Sequence, residues 1–585
     1  MLRQGAPQFI AQFRARRLTS CGQPGLTDVT KQLQKQGPGM QEVFDYIIVG
    51  GGSSGCVMAA RLSEDKNTSV LLLEAGGPDR NPLFHIPAGF ARMTKGIASW
   101  GWSTVPQKGL NGRSLWYTQA KVIGGGSSIN AQIYTRGNPH DYDNWAEHHG
   151  CRGWSYREVL PYFKRSEGNE VFSDLYHGQD GPLGVSKPRG ALPICTAFIE
   201  AAQEWGLAHN PDFNGMRQEG CGFYQLTQRD ARRSSTARAF LKPAQTRANL
   251  TVRTRAEVSR IKLEGHKAIG VLLRHNGADL LIRADREVIV TAGAIGSPRL
   301  LMYSGIGPAD HLRSVGIDVA LDVPGVGSNL QDHLDLCTIS QCTGRHTYDG
   351  ADRIDRTLLA GLRYYLTRTG PATASLFETG GFGYADPNAP YPDLQFHLGQ
   401  GSGIEKGIVR IKGAGVTLNS ALIRPRSRGS VRLASSDPTV PPLIDPNFWG
   451  DPHDREMSLR GLEIAREIMA QPALSKYVAT EVLPGPGTTK EDLLRYAIRI
   501  AKTDHHPVGT CRMGTGPDAV VDPALRVIGA CGLRVCDASI MPRINASNTN
   551  APTIMIGEKA SDMVRGLAPL PAADLPVRGE ASAPP

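Results

Sequence analysis

The C-terminal part of the chain carries a histidine and an asparagine with complementary chemistry. His506 lies in the polar segment Asp504-His505-His506-Pro507-Val508-Gly509-Thr510, and Asn548 begins a later asparagine-rich turn. A neutral imidazole titrates near neutral pH and can accept a proton, while an amide can hydrogen-bond the same oxygen. The two residue types therefore predict removal of a proton from a hydroxyl group.

The N-terminal part carries a motif for binding a dinucleotide. The apolar run 44–49 predicts a buried parallel strand, followed by the turn Gly50-Gly51-Gly52-Ser53-Ser54-Gly55 and a helix over 56–62. A second apolar strand ends at Glu74, where a carboxylate can hydrogen-bond a ribose hydroxyl. Glycines allow close approach of a pyrophosphate to the free amides of the helix. The acid favours FAD or NAD over NADP, and with His506 the motif points to oxidation of an alcohol.

Length and composition indicate a multidomain globular protein. A chain of 585 residues is too long for one ordinary core, and no apolar run approaches the roughly 18 residues of a membrane-spanning helix. The formal charge of +10 is uneven, because residues 1–39 contain six basic residues and one acidic residue. The remaining excess is spread without basic clusters, so nucleic acid is not expected as a partner.

The basic N-terminal segment allows more than one interpretation. It lacks the apolar core of a secretory signal, and its arginines are typical of a mitochondrial transit peptide. A disordered extension, or a true start at Met40, is the interpretation that we favour. We predict a cytoplasmic protein, with possible peripheral contact with the inner membrane, or a mitochondrial one if the segment is a transit peptide.

The ten cysteines do not form a metal-binding pattern. No CxxC pair occurs, and Cys337/Cys342 and Cys531/Cys536 are each separated by five positions. Without a secretory signal, reduced and buried thiols are the better interpretation. We predict no metal site.

Two further glycine-rich segments resemble a known family. Ala120 to Asn130 combines glycines and small hydroxyl residues in one loop, and Gly293 to Gly307 follows the predicted strand 287–291. These segments resemble the two sequence patterns of the glucose-methanol-choline (GMC) oxidoreductases. The resemblance extends over nearly the whole chain between its two tails.

The resemblance implies FAD as the cofactor and a set of residues around it. The glycine turn and Glu74 would hold the adenosine diphosphate, and later segments would border the rest of FAD. His506 matches the catalytic base of the family and Asn548 matches its partner, although His505 stands where an aromatic residue is expected. Glu378 resembles an acid that faces the substrate in several members, and a purely structural carboxylate is the alternative. The implied cofactor-binding residues are Gly50, Gly52, Ser53, Ser54, Gly55, Glu74, Gly125, Ser128, Asn130, Ala131, Val258, Asp537, Ala538, Asn550 and Thr553, and the implied substrate residues are Glu378 and His505.

The implied fold is α/β, or α+β overall, with a Rossmann-like FAD domain and an antiparallel-sheet substrate domain. Residues 1–43 are predicted to be a disordered or targeting extension, and 566–585 a disordered tail. We assign 44–340 mainly to the FAD domain and 341–503 mainly to the substrate domain, where 393–397 and 416–421 are predicted strands. Residues 504–565 would carry the catalytic pair and complete the FAD domain.

The implied reaction is oxidation of a primary alcohol or polyol, with hydride transfer to flavin N5. Within the family, the chain is most similar to FAD-linked alcohol, sorbose and choline dehydrogenases. A quinone or another non-oxygen carrier would accept the electrons. Choline is the next candidate substrate, and a hydroxynitrile lyase with bound FAD is the alternative from another class. A flavin-binding protein without turnover is disfavoured because His506 and Asn548 are both retained.

Overall fold

The described chain is built from two large sheets with helices around them. The computed structural model describes residues 42–93, 96–275, 278–404 and 409–576. The strands, numbered in chain order, are β1 (Val43–Val49), β2 (Val70–Glu74), β3 (Ile133–Tyr134), β4 (Glu167–Asn169), β5 (Leu183–Val185), β6 (Gly220–Phe223), β7 (Gln225–Leu226), β8 (Gln228–Arg229), β9 (Arg232–Arg233), β10 (Leu250–Thr254), β11 (Val258–Glu264), β12 (Lys267–His275), β13 (Ala278–Val290), β14 (Ile306–Gly307), β15 (Leu321–Asp322), β16 (Ser328–Leu330), β17 (Leu334–Cys342), β18 (Phe377–Gly383), β19 (Leu394–Gly399), β20 (Gly415–Leu422), β21 (Gly429–Arg432), β22 (Leu443–Asp445), β23 (Val478–Leu483), β24 (Lys502–Thr503) and β25 (Leu533–Val535). The α-helices are α1 (Ser53–Leu62), α2 (Phe90–Met93), α3 (Pro139–His148), α4 (Tyr156–Ser166), α5 (Pro193–Trp205), α6 (Lys242–Ala244), α7 (Gly293–Tyr303), α8 (Ala309–Ser314), α9 (Ile354–Thr367), α10 (Pro452–Met469), α11 (Lys490–Ile500) and α12 (Asn550–Arg565).

The first sheet contains the glycine turn. Strands β10, β2, β1, β13 and β25 pair in parallel, and β12 and β11 continue antiparallel from the first half of β13. The apolar side chains of β1 and β2 are buried because helices cover a parallel sheet on both faces. The predicted strands are confirmed, and α1 begins at Ser53, three residues earlier than predicted, because the turn ends at Gly52.

The second sheet is antiparallel and forms a wall of the site. Its strand order is β23-β17-β20-β19-β18-β6, with β24 paired to β17. Helices α5 and α10 pack against it through a buried apolar cluster. The predicted strands 393–397 and 416–421 are confirmed as β19 and β20, and strand β6 comes from a segment predicted for the FAD domain. The mixed α/β architecture is confirmed, and the predicted domain boundaries stay a prediction.

Three further expectations concern the ends, the thiols and the membrane. Residues 1–41 and 577–585 lie outside the described chain. Residues 567–576 run alongside α4, where the Leu570 N–H donates to the Tyr162 hydroxyl and the Ala573 N–H donates to the Arg157 carbonyl. The nine cysteines of the described residues are free, and all but Cys531 are buried. Among the described helices, none combines the length and the hydropathy needed to cross a bilayer.

A buried ion pair fastens the segment that follows β3. One guanidinium nitrogen of Arg136 lies 2.5 Å from Oε2 of Glu167, and both side chains are almost completely buried. Asn169 Nδ2 donates to the other carboxylate oxygen at 2.9 Å. Burial alone would raise the pKa of Glu167, but Arg136 and His177 hold this pKa below its usual value. The carboxylate therefore stays charged and depends on its partners.

Replacing Arg136 with methionine should strongly destabilise the fold. Arg136→Met leaves the buried Glu167 carboxylate without its cation, which costs about 3–5 kcal/mol of the free energy of unfolding. Urea denaturation followed by tryptophan fluorescence measures the loss. The control is Arg189→Met at the exposed Arg189–Glu170 pair, where less than about 1 kcal/mol is expected. Equal losses in the two variants would contradict the assignment.

Candidate active site

One cavity joins the two sheets, with a volume of about 820 Å³. Its walls come from the carboxyl ends of β1, β2, β13 and β25 and from side chains of β18, β19 and β20. The volume lies within the roughly 300–1,000 Å³ common for cofactor and ligand sites. The predicted site residues that line it are Gly50, Gly52, Ser53, Ser54, Glu74, Gly125, Asn130, Ala131, Val258, His505, His506, Asp537, Ala538, Asn548, Asn550 and Thr553.

The glycine turn leaves a cradle between β1 and α1. Gly50 has φ +111°, and a Cβ there would lie 2.4 Å from the Thr291 carbonyl oxygen. Gly52 caps α1 without a side-chain hydrogen bond, so the first N–H groups of the helix remain open to an anion. The Ser54 hydroxyl is buried at the cavity and has no hydrogen-bond partner among the described residues. These features fit a diphosphate.

Glu74 closes the second strand as the motif predicts. Its two carboxylate oxygens accept the N–H groups of Gly51 at 2.7 Å and Gly76 at 2.6 Å. Burial raises the pKa of Glu74 to about 7, although these two N–H groups oppose the shift. Each oxygen keeps a further lone pair, which suits hydrogen bonds from ribose hydroxyls.

Two loops bring small residues and amides to the middle of the cavity. Gly125 has φ +53°, and a Cβ there would lie 2.7 Å from the Gly52 Cα, so this loop touches the glycine turn directly. Asp537 accepts the Gly293 N–H and the Ser297 hydroxyl, and burial raises its pKa. Helix α12 begins at Asn550, whose Oδ1 accepts the Ser53 hydroxyl at 2.8 Å.

Three predicted residues do not line the cavity. Gly55 is a packing position, because a Cβ there would lie 2.0 Å from the Gly50 carbonyl oxygen. Ser128 is fully buried and donates its hydroxyl to the Ile123 carbonyl at 2.8 Å, which fixes the loop. Glu378 is also fully buried, with Gln400 Nε2 donating to its carboxylate at 2.6 Å. Phe377 lines the cavity, whereas Glu378, which lies at an irregularity in the pairing of β18 with β19, does not.

The structure brings the predicted proton acceptor and its partner into contact. Asn548 Nδ2 lies 3.1 Å from His506 Nε2. Burial lowers the pKa of His506 well below its usual value, and neighbouring His333 and His397 act in the same direction. The imidazole is therefore neutral in the resting protein, which is the form that can accept a proton.

Buried donors decide which end of the Asn548 amide faces His506. Gln395 Nε2 and the Thr135 hydroxyl both donate to Asn548 Oδ1 at 3.1 Å. The oxygen is thus taken, and Asn548 Nδ2 donates to His506 Nε2. Since Nε2 accepts this bond, the single proton of the neutral ring lies on Nδ1. Both side chains line the cavity.

The opposite nitrogen of His506 meets a second buried polar group. Its Nδ1 lies 3.1 Å from His333 Nδ1 and 3.4 Å from Asp504 Oδ2. Burial lowers the pKa of His333 to about 3, so this ring is neutral and can accept the Nδ1 proton. Asp332 accepts the backbone N–H groups of His506 at 2.8 Å and His333 at 2.9 Å, and so holds both residues in place.

These supporting residues were not predicted from the sequence. Gln395, Thr135, Asp332 and His333 are distant from His506 in the sequence or belong to no motif used above. The one available signal was the polar segment 329–333, which precedes the apolar strand β17. His505 does line the cavity, with φ +61°.

Comparisons with known proteins agree with this site. Two family models described as GMC oxidoreductase match residues 44–335 and 425–557. The alcohol dehydrogenase [acceptor] of Pseudomonas putida is 43% identical over 528 residues, covering 89% of this chain and 96% of that protein. The mitochondrial choline dehydrogenase of Homo sapiens is 40% identical over 559 residues, covering 94% of each. The crystal structure of pyridoxine 4-oxidase from Mesorbium loti matches with a TM-score of 0.82 and 33% identity, covering 90% of this chain and 100% of that one.

The matches confirm the expected family, fold class, cofactor and type of enzyme. The protein is an oxidoreductase that acts on alcohol-type or choline-type substrates with an electron acceptor. FAD is the cofactor of the family, and the open helix N-terminus, the unpartnered Ser54 hydroxyl and the carboxylate of Glu74 fit it. The chain belongs to the GMC oxidoreductases.

Proposed function

We propose that the protein oxidises the CH–OH group of a neutral primary alcohol or polyol to a carbonyl group. The electrons would pass to a quinone or another non-oxygen acceptor. The observation that carries the proposal is the contact between Asn548 Nδ2 and His506 Nε2 at one end of a dinucleotide-sized cavity.

The chain's own residues would remove the hydroxyl proton. A substrate hydroxyl inserted between the two groups would replace their direct contact, because it can donate to His506 Nε2 and accept from Asn548 Nδ2. The proton moves to Nε2 as negative charge develops on the substrate oxygen, and the amide N–H stabilises that charge. The resulting imidazolium keeps its Nδ1 proton next to His333 and the Asp504 carboxylate, which favours the charged ring.

Bound FAD supplies the acceptor for the hydride that leaves the substrate carbon. Residues of the glycine turn would hold its diphosphate and Glu74 its ribose. Gly125, Asn130 and Ala131 would border its ring system, together with Asn550 and Thr553. These assignments rest on their common position around the cavity.

The walls near His506 support a neutral substrate. Phe90 and Phe377 form an apolar corner with ring centroids 5.8 Å apart, beside the polar side chains of His397 and Asn419. The carboxylate of Asp504 lies 4.0 Å from Lys502 Nζ as well as near His506. A hydroxyl compound with an apolar or hydroxylated remainder matches these surroundings better than a permanent cation.

Choline remains the second candidate, because the human relative is a choline dehydrogenase and Asp504 places a carboxylate at the cavity. A hydroxynitrile lyase would use the same fold without net oxidation. It is disfavoured because relatives at 40–43% identity are named as dehydrogenases.

Removing the imidazole should abolish most of the reaction without loss of FAD. His506→Ala is expected to lower the rate of FAD reduction by about 10²–10⁴-fold, the usual contribution of a positioned base. Anaerobic stopped-flow absorbance measures the rate, and the flavin spectrum of the purified variant measures FAD content. His505→Ala is the matched control, and its rate of FAD reduction should fall by less than about tenfold. Equal effects of the two substitutions on this rate would contradict the assignment of His506 as the base.

The glutamine that orients Asn548 should affect rate more than stability. Gln395→Met removes the donor to Asn548 Oδ1, so the amide can turn and pull the ring proton to Nε2. We expect FAD reduction at saturating substrate to slow by about tenfold or more, because His506 would lose part of its contribution as a base. The control Gln400→Met removes another buried glutamine, which contacts Glu378 outside the cavity. A similar slowing in this control, or none in Gln395→Met, would contradict the role of Gln395.

The choice between neutral alcohol and choline can be tested with a matched pair of substrates. The pair is choline and its carbon isostere, in which a tert-butyl group replaces the trimethylammonium group. We expect the isostere, primary alcohols and polyols to bleach oxidised FAD more efficiently than choline under anaerobic conditions. Preference for choline would favour the second candidate, and cyanide release from a cyanohydrin without bleaching would favour the lyase. Faster turnover with a quinone than with oxygen is expected for the acceptor.

A further inference from the structure

Helix α9 presents an apolar face to solvent. Six large apolar side chains are exposed along its fourteen residues, with exposed fractions from 57% to 80%. We call them the α9 apolar face: Ile354, Leu358, Leu359, Leu362, Tyr365 and Leu366.

The geometry of the helix explains why these residues share one side. They recur at spacings of three, four and seven residues, which place side chains on one face of a helix. Tyr364 is the buried side chain of the helix and points to the protein body, where its hydroxyl donates to the Ala231 carbonyl. The apolar face is therefore directed away from the core that would normally cover it.

Such a patch needs a partner, because folded proteins rarely expose contiguous apolar surface of this extent. The other exposed large apolar residues of the described chain are mostly scattered singly, for example Leu175 and Leu443. Only α9 combines several of them on a single element of that part of the chain.

Arginines border the apolar face. Residues 353–368 contain Arg353, Arg356, Arg363 and Arg368 against one acid, Asp355, which gives a net charge of +3. More positive charge lies nearby, since Arg232 and Arg368 lower the pKa of Arg238, after the larger effect of burial. The surface is apolar in the centre and cationic at its edge.

This charge pattern selects among the possible partners. A second copy of the chain docking through the same face would place arginines against arginines, which is repulsive. An anionic lipid surface instead offers an apolar interior for the leucines and negative headgroups for the arginines. At about 1.5 Å per residue, fourteen residues span roughly 21 Å, too short to cross a hydrocarbon core of about 30 Å.

We propose that α9 lies in the plane of an anionic membrane and docks the enzyme on it. The position of α9 relates the docking to the proposed reaction. The helix packs against the short turn Pro371–Thr373, which packs against Pro87–Gly89, and the next elements supply Phe377 and Phe90 to the cavity wall. Docking would therefore bring the His506 end of the cavity toward the bilayer, where a lipid-soluble quinone dissolves. This use rests on the proposed function, whereas the docking itself does not.

Vesicle binding tests the docking without any turnover. The full-length, FAD-loaded protein is sedimented with vesicles of phosphatidylcholine and phosphatidylglycerol, and in parallel with phosphatidylcholine alone. We expect binding to the mixed vesicles, weaker binding to the neutral ones, and weakening by salt. The double variant Leu358→Gln/Leu362→Gln should bind the mixed vesicles about tenfold or more weakly.

The controls separate a loss of docking from a loss of folding. The double variant Leu175→Gln/Leu443→Gln changes two exposed leucines elsewhere and should bind as the wild type does. Both double variants should reduce a soluble dye at the wild-type rate, because none of the four residues touches the cavity. No vesicle binding by the wild type, or equal binding by the α9 variant, would overturn the proposal. A wild-type dimer that the α9 variant dissociates would also overturn it and assign the face to a second copy.

Discussion

The orientation of one amide decides which nitrogen of His506 carries the ring proton. Asn548 could present either its oxygen or its nitrogen to His506, and the two choices have opposite consequences for the imidazole. Donors from Gln395 and Thr135 occupy the oxygen, so the nitrogen faces Nε2 and the ring proton stays on Nδ1. An Nε2 that carried the proton could not accept one from a substrate. The polar residues around the pair keep that single nitrogen unprotonated and therefore basic.

Burial of His506 and of its neighbour His333 also favours a neutral imidazole in the resting protein. His506 is shielded from water, beside a second buried histidine that stays neutral, so the charged imidazolium is disfavoured until a substrate proton arrives. Asp504 lies at 3.4 Å and can stabilise the charge once it forms. Asp332 fixes both histidines through their backbone amides, so the two rings meet at defined nitrogens. The site combines a neutral resting state with stabilisation of the charged state.

The cavity and helix α9 satisfy their side chains in different ways. Around the proposed catalytic pair, the side chains of Asn548 and His506 are held by neighbouring polar groups. Helix α9 differs from the cavity, because its exposed apolar side chains lack a protein partner in the described part of the chain. Arginines border these side chains. Because the apolar face of α9 is left uncovered, we propose that it contacts a surface outside the protein.

Local rules in the sequence determined the parts of the protein that short segments encode. The glycine turn, the strands β1 and β2, the acid Glu74 and the family motifs follow from steric and hydrogen-bonding demands that act over a few residues. The motifs likewise pointed to His506 and Asn548, which we propose as the reacting pair. Only the tertiary structure brought Gln395, Thr135, Asp332 and His333 to that pair, because they come from three separate segments of the chain. The structure also decided that Phe377, and not Glu378, faces the cavity. Side-chain direction in a strand depends on which face of the sheet the fold covers, and no short segment specifies that.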